Sequence, residues 1–406
     1  MINKSIKQSS VLFISSFLSV LLGIGVSVLN TSLLQPAEYG DFRYVTNILN
    51  FIASLLLFGF FVSGSRCLAL SSDEQYSRKI RGAMVIILGA ASCVMMILML
   101  GCFAIHKLWI DTNTANMFIA AMPVCFAPLL LNYINTVFQG DNSIYKLSIA
   151  RVLPSIAYLL VATYIFSRHA ADATLLLLIQ NGIAVFILVA LIFSSQPRFR
   201  NLGVAFTDLK RENKEYGFNV YVGSIAAVSL NYLAGITLGI FGEDNTDVGF
   251  YTLALTIATP LAILPTVIGT TYFKKFASQK HIDKKVLVTT LILSVGSLLL
   301  YCILISPIVE ILYDESYKSV ALYAQYLAIG TTIHGVGDMF NRFLGSHGKG
   351  KELRNGAILC GLTMVIGNTI FVYFWGINGA ILTRMVSAIV YCGSMMYYYI
   401  HFTKHA

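Results

Sequence analysis

"VLFISSFLSVLLGIGVSVLNTSLLQPAEYGDFRYV", residues 11–45, joins an uninterrupted apolar run to a short segment carrying two acidic residues, a glycine and several aromatic rings. The run exceeds the roughly 18 residues that a helix needs to cross about 30 Å of hydrocarbon. It follows Lys4 and Lys7, as a secretion signal would, but it is too long and lacks a small-residue cleavage site. It reads as a retained first span. The 406 residues are 57% hydrophobic and only 12% charged, and the mean hydropathy is +0.74, whereas a soluble domain carries roughly one quarter charged residues. Comparable runs recur along the whole chain and leave no room for a soluble domain. The expected fold is an all-α polytopic membrane protein.

The pattern places about twelve transmembrane helices near residues 10–32, 43–65, 83–105, 115–137, 149–166, 174–194, 218–240, 251–272, 286–306, 321–341, 356–374 and 378–400. With the N-terminus inside, every lysine and arginine falls on the cytoplasmic side except Arg43, Lys107, Arg168, Lys318 and Arg384. Topology therefore accounts for the net charge of +9, and nucleic acid is not an expected partner. Both termini are expected in the cytoplasm. Trp109 and Trp375 fall at predicted outer boundaries, where an indole keeps its N–H wet. The seven cysteines lie singly, with neither a C-x-x-C pair nor histidines at ligand spacing, so they read as small hydrophobes and no metal is expected.

"EYGDF" before the second span has a counterpart in "DVGFY" before the eighth. The loops "QGDNSIYKLSIAR" and "LGSHGKGKELRNG" repeat at nearly the same offset, about 205 to 209 residues. The chain thus reads as an internal duplication: an N-terminal six-helix half over 1–197, a cytoplasmic linker over 198–217 and a C-terminal six-helix half over 218–406. Six spans per repeat is an even number, so the two pseudo-symmetric halves enter from the same side, as in a transporter that rocks one half against the other around a central cavity.

The stretches "LLQPAEYGDFRYVTNILNFI", "DVGFYTLALTIATPLAILPTVIGTTYFKKFA", "LYDESYKSVALYAQYLAIG" and "WGINGAILTRMVSA", in this order and spacing, resemble polysaccharide or O-antigen flippases of the Wzx type. These belong to the multidrug/oligosaccharidyl-lipid/polysaccharide (MOP) exporter superfamily. The resemblance implies a transporter of lipopolysaccharide or other polysaccharide biosynthesis in a bacterial inner membrane. It would flip a polyprenyl-diphosphate-linked oligosaccharide repeat unit to the periplasmic leaflet and work among membrane lipids and other glycan-assembly membrane proteins. It also implies no cofactor and energy from a proton or sodium gradient. Family members often carry an acidic residue near the end of the seventh span, where this chain has "LNYLAGITLG", with Asn231, Ala234 and Gly235.

Such a substrate brings about two negative charges into low dielectric, which calls for cationic partners. Arg384, inside the last span with Ala380, Ser387 and Tyr391 on its face, is the first candidate; the alternatives are snorkelling to the interface or pairing with a loop carboxylate. Arg43 is a second candidate, although it stands close enough to Glu38 and Asp41 to act as a loop staple. Arg151 at the start of the fifth span is a third, or else a residue that obeys the positive-inside rule. "HGVGDMFNR" sets His334, Asp338 and Arg342 on one helical face, as a proton-coupling group or a structural ion pair.

Sugars call for hydroxyl and amide partners. Ser16, Ser19, Gly23, Ser27 and Asn30 step down the first span, and Asn219, Gly223, Ala227 and Asn231 step down the seventh, as cavity lining or as helix-packing seams. The tyrosines at 397–399 suit an interfacial aromatic belt. "GSHGKGKE", residues 345–352, mimics a phosphate-binding loop but has Glu352 where a magnesium-binding hydroxyl belongs and no preceding strand, so ATP use is not expected. A small-molecule exporter of the same superfamily is the alternative. A glycan polymerase or ligase is less favoured, because the longest predicted outer loop, about 15 residues, is too short for a catalytic module. The chain is not expected to be an enzyme.

Overall fold

In hydrocarbon every backbone N–H and C=O must be satisfied within the protein, and a long apolar helix does this within one segment. The computed structural model describes residues 2–228 and 230–405, and all its regular elements are helical. Side chains of residues 2–10, 223, 224, 226–228, 230, 274 and 405 lie outside the description, among them Lys4, Lys7, Gly223, Ala227 and Lys274 from the sequence reading. The helices are α1 (Ile2–Leu33), α2 (Pro36–Leu55), α3 (Phe60–Leu70), α4 (Glu74–Trp109), α5 (Thr112–Ala121), α6 (Ala127–Gly140), α7 (Ile144–Phe166), α8 (Ala173–Ser194), α9 (Gly203–Glu212), α10 (Phe218–Val228), α11 (Leu230–Phe241), α12 (Thr246–Ala258), α13 (Ile263–Phe276), α14 (Lys284–Leu312), α15 (Val320–Ser346) and α16 (Gly350–His405).

Among the described residues, seven helical segments are long and apolar enough to cross a membrane, and the bent pairs α2–α3 and α5–α6 raise the number to nine if each is one span. The chain is a multi-pass membrane protein. Helices also stand at the remaining expected positions: α10 and α11 at the seventh, α15 at the tenth, and α16 over the last two. Gly376 (φ 52°, ψ −132°) breaks α16, a conformation that glycine reaches without a Cβ penalty. Among the described residues, four helices start on an aspartate whose side chain caps a free N–H: Asp73, Asp111, Asp172 and Asp283. Partial burial raises the Asp111 carboxyl, but donors from Thr112, Asn113 and Thr114 outweigh it and hold the group below the ordinary carboxylate range. Trp109 and Trp375 are both exposed.

Contacts divide the chain into two units, one of Met1–Leu34 with Val45–Tyr232 and one of Gln35–Tyr44 with Leu233–Ala406. The first turns of α2 therefore belong to the second unit and its remainder to the first.

In the first unit the second span is not the straight helix expected over 43–65. It bends by 58° between α2 and α3, where Phe58 (φ 44°) and Gly59 (φ 78°) adopt left-handed backbone. The bend is held from outside. A Cβ at Gly59 would lie 2.5 Å from the carbonyl of Gly217, and the Asn213 amide donates to the Phe58 carbonyl at 3.1 Å. The linker is thus a docked element rather than a tether: α9 buries Ala205 and Leu209, and one π-helical turn, Asn213–Gly217, follows it. Ahead of α9, the Arg198 N–H donates to the Arg78 carbonyl.

In the second unit the two copies of the repeated motif meet. Gly249 faces Gly40 so closely that a Cβ on Gly249 would lie 3.2 Å from the Gly40 backbone, and one on Gly40 would fall on the Asn245 carbonyl. Asn245 Nδ2 donates to Asp41 Oδ1 at 2.7 Å. Tyr39 and Phe250 both pack edge-on against Tyr317, with ring centroids 6.0 Å apart in each case. The glycines of "EYGDF" and "DVGFY" are there because two helix starts share one narrow contact. Farther along, Phe276, Met339, Phe343 and Met395 form a core joining α13, α15 and α16.

Candidate functional site

Two arginines stand out by what does not surround them. Arg151 lies in the second turn of α7, half-buried where α7 meets α1 and α6. Its Nη1 donates to Ser16 Oγ at 2.6 Å and its Nε to Asn135 Oδ1 at 3.3 Å. Arg43, in the second unit, donates from Nη2 to Thr256 Oγ1 at 3.2 Å and lies 5.7 Å from the centre of the Tyr39 ring. Its Nε is buried and has no hydrogen-bond partner among the described residues. No carboxylate comes within ion-pairing distance of either guanidinium among the described residues. The expected staple to Glu38 or Asp41 is therefore not formed: Glu38 accepts from the Gln35 N–H and Asp41 from Asn245. The geometric cause is helical, since α2 begins at Pro36 and turns Arg43 toward α12.

A guanidinium is costly to desolvate, and neutral oxygens offset only part of that cost. In each case no carboxylate among the described residues stands opposite the guanidinium. The planar fork of arginine matches phosphate oxygens two at a time. Each group can therefore take an anion.

Behind Arg151 the polar stripe of α1 is used for contacts between helices. Ser15 donates to Ser148 at 3.0 Å, and the Tyr158 hydroxyl donates to Asn30 Oδ1 at 2.6 Å in a buried setting. Ser19 is half-buried. Ser15 and Ser148 also border a groove of about 520 Å³ between α1 and α7, otherwise lined by apolar residues that include Val11, Ile14, Leu18, Leu153 and Ile156. Asn219 and Asn231 are exposed on α10 and α11.

The second unit gathers the titratable candidates. Arg342 Nε donates to Asp338 Oδ2 at 3.0 Å, the two side chains being 30% and 24% exposed, and Thr266 donates to the same oxygen at 3.3 Å. The structural-pair alternative thus describes their contact. His334, one turn earlier, stacks on Tyr391 with ring centres 4.4 Å apart and 19° between planes. Tyr391 and Ser387 are buried, and the Ser387 hydroxyl returns to the Arg384 carbonyl at 2.9 Å. Arg384 is half-buried, its backbone passing close to Gly330 of α15.

Sequence reasoning missed Asn135, Thr256, Thr266 and Tyr158. Each is a single polar residue in an apolar run, and only the tertiary fold reveals which arginine or amide it meets.

A family model described as "Polysaccharide biosynthesis protein" matches residues 5–273. The chain is 26% identical over 210 residues to the uncharacterized membrane protein MJ1068 of Methanocaldococcus jannaschii, a match that covers 48% of this chain and 41% of that relative's length. Its fold is similar to that of the lipid II flippase MurJ in an inward closed conformation, with a TM-score of 0.75 at 13% identity over 97% of this chain and 90% of that one. It is likewise similar to an inward-facing multidrug resistance MATE family transporter of the MOP superfamily, with a TM-score of 0.71 at 13% identity over 95% of both chains.

Proposed function

The chain belongs to the polysaccharide biosynthesis protein family, and from that premise we propose that it flips a polyprenyl-diphosphate-linked oligosaccharide, such as an O-antigen unit, across a bacterial inner membrane by alternating access. The carrying observation is the pair of helix-held guanidiniums, Arg151 and Arg43, each bound by neutral side chains and, among the described residues, unopposed by a carboxylate. A diphosphate is the anion that such forks complement. Arg384 joins them as a third contact of this reading. The hydroxyls and amides of Ser16, Ser19, Asn30, Asn219, Asn231, Ser387 and Tyr391 supply sugar-facing partners as the helices move. Asp338, held by Arg342 and Thr266 near His334, is the group through which a proton or sodium ion acts. Twelve crossings in two six-helix halves, with both termini in the cytoplasm, complete the reading.

A small-molecule exporter draws support from the fold shared with the MATE transporter. A cationic drug, however, is repelled by the guanidiniums of Arg151 and Arg43, which carry no paired carboxylate among the described residues. The deciding experiment deletes the gene, extracts lipid-linked oligosaccharides and assigns them to a leaflet by mass spectrometry with a membrane-impermeant label. Single complete repeat units trapped on the cytoplasmic face are expected, restored to the outer face by the wild-type gene and not by Arg151→Ala. Unchanged lipid-linked sugars sink the flippase reading, and single units accumulating outside reassign the chain to polymerisation.

A further inference from the structure

In the second unit, a cavity of about 550 Å³ opens between the turn entering α16 and the last turns of the same helix, with Lys349, Lys351, Asn355, Tyr398 and Phe402 in its lining. Its size falls in the range of pockets that enclose a small molecule or headgroup. Lys349 Nζ lies 5.2 Å from the centre of the Phe402 ring, so an aromatic face holds the ammonium against the wall. Phe402 is itself fixed, because the His347 ring packs 4.7 Å from it and His347 Nε2 lies 3.0 Å from the Gln279 carbonyl oxygen. The one carboxylate in the lining, Glu352, pairs with neither lysine among the described residues.

The level of the cavity matters as much as its charge. Tyr397 in its lining is 65% exposed, and the preceding turns of α16 present Ile389 and Met396 outward, the sequence of an apolar band passing into an aromatic belt. Two ammoniums, an amide and a phenol at headgroup depth, backed by a ring and Leu344, match a phosphate ester attached to an apolar chain. Basic pockets between spanning helices take such groups. We propose that this cavity binds the phosphodiester headgroup of an anionic phospholipid from the adjoining leaflet. The site is independent of the flipped substrate.

Titration of the purified full chain with phosphatidylglycerol and with phosphatidylcholine, read by native mass spectrometry, tests this. Phosphatidylglycerol is expected to bind preferentially, and Lys349→Gln with Lys351→Gln to weaken it at least about tenfold while leaving phosphatidylcholine unchanged. Lys284→Gln with Lys285→Gln removes the same charge from another basic turn and is expected to change phosphatidylglycerol binding less than about twofold. Unaltered phosphatidylglycerol affinity in the first pair, or an equal loss in both pairs, overturns the site. Displacement of the lipid by millimolar inorganic phosphate reassigns it to a free anion and overturns the lipid proposal.

Discussion

Arg81 and Arg151 are both arginines of the first unit, each inside a helix near its start, and their surroundings are opposite. Arg81 is buried, its side chain 7% exposed, and its guanidinium reaches Asp141 at 2.8 Å, Glu74 at 3.1 Å and the Ser195 carbonyl at 2.7 Å. It ties α4 to the ends of α6 and α8. Arg151 has the same functional group in a half-buried place between α1, α6 and α7, yet it meets one hydroxyl and one amide. A paired charge with its donors directed at fixed acceptors is finished as a structural device. A charge held only by neutral oxygens still has most of its field to spend on something that arrives and leaves.

The comparison breaks if the first arginine proves dispensable. Arg81→Ala strands the half-buried Asp141 and is expected to lower stability by about 3–5 kcal/mol, measurable as loss of folded protein and a lower midpoint in detergent unfolding. Arg151→Ala is expected to do the reverse: abundance and unfolding midpoint stay near wild type, within about 1 kcal/mol, while glycan export falls about ten- to a hundredfold. Arg151→Lys sharpens this result, since charge survives without the fork, and export is expected to recover in part in the same assay. Between the extremes lies Arg342→Gln. Its bond to Asp338 is partly exposed, so a stability loss of about 1 kcal/mol is expected by denaturant titration. The smallest effect belongs to Arg78→Ala, whose contact with Glu74 is exposed on both sides; unfolding should shift by less than about 0.5 kcal/mol.

Apolar length and basic loops were legible from the residues alone, because the bilayer imposes one period and one length on every span. The repeated "EYGDF" and "DVGFY" were legible as related, and their contact through Gly40 and Gly249 gives the relation a cause. What escaped reading depends on partners distant in sequence. Arg43 sits two residues from Asp41, which made a local pair the natural expectation, but Asp41 is taken by Asn245 and Arg43 turns to Thr256. Arg81 looked like one more cytoplasmic charge, since nothing near it in sequence announces Asp141 or Ser195. The bend at Phe58 and Gly59 sits in an apolar stretch whose hydropathy is indifferent to backbone sign, and it is fixed from the linker by Asn213 and Gly217.

The division of α2 between two units has a consequence for how the protein is made. Residues 35–44 enter the membrane early in synthesis, whereas the surface they complete, around Asn245 and Gly249, is translated about two hundred residues later. The N-terminal unit can close on itself as it emerges, but Tyr39, Phe42 and Tyr44 must wait, unburied, for the rest of the chain. A chaperone or the insertion machinery has that interval in which to hold them, and a gene cut between the halves would give two fragments, of which the second lacks a piece of its own core.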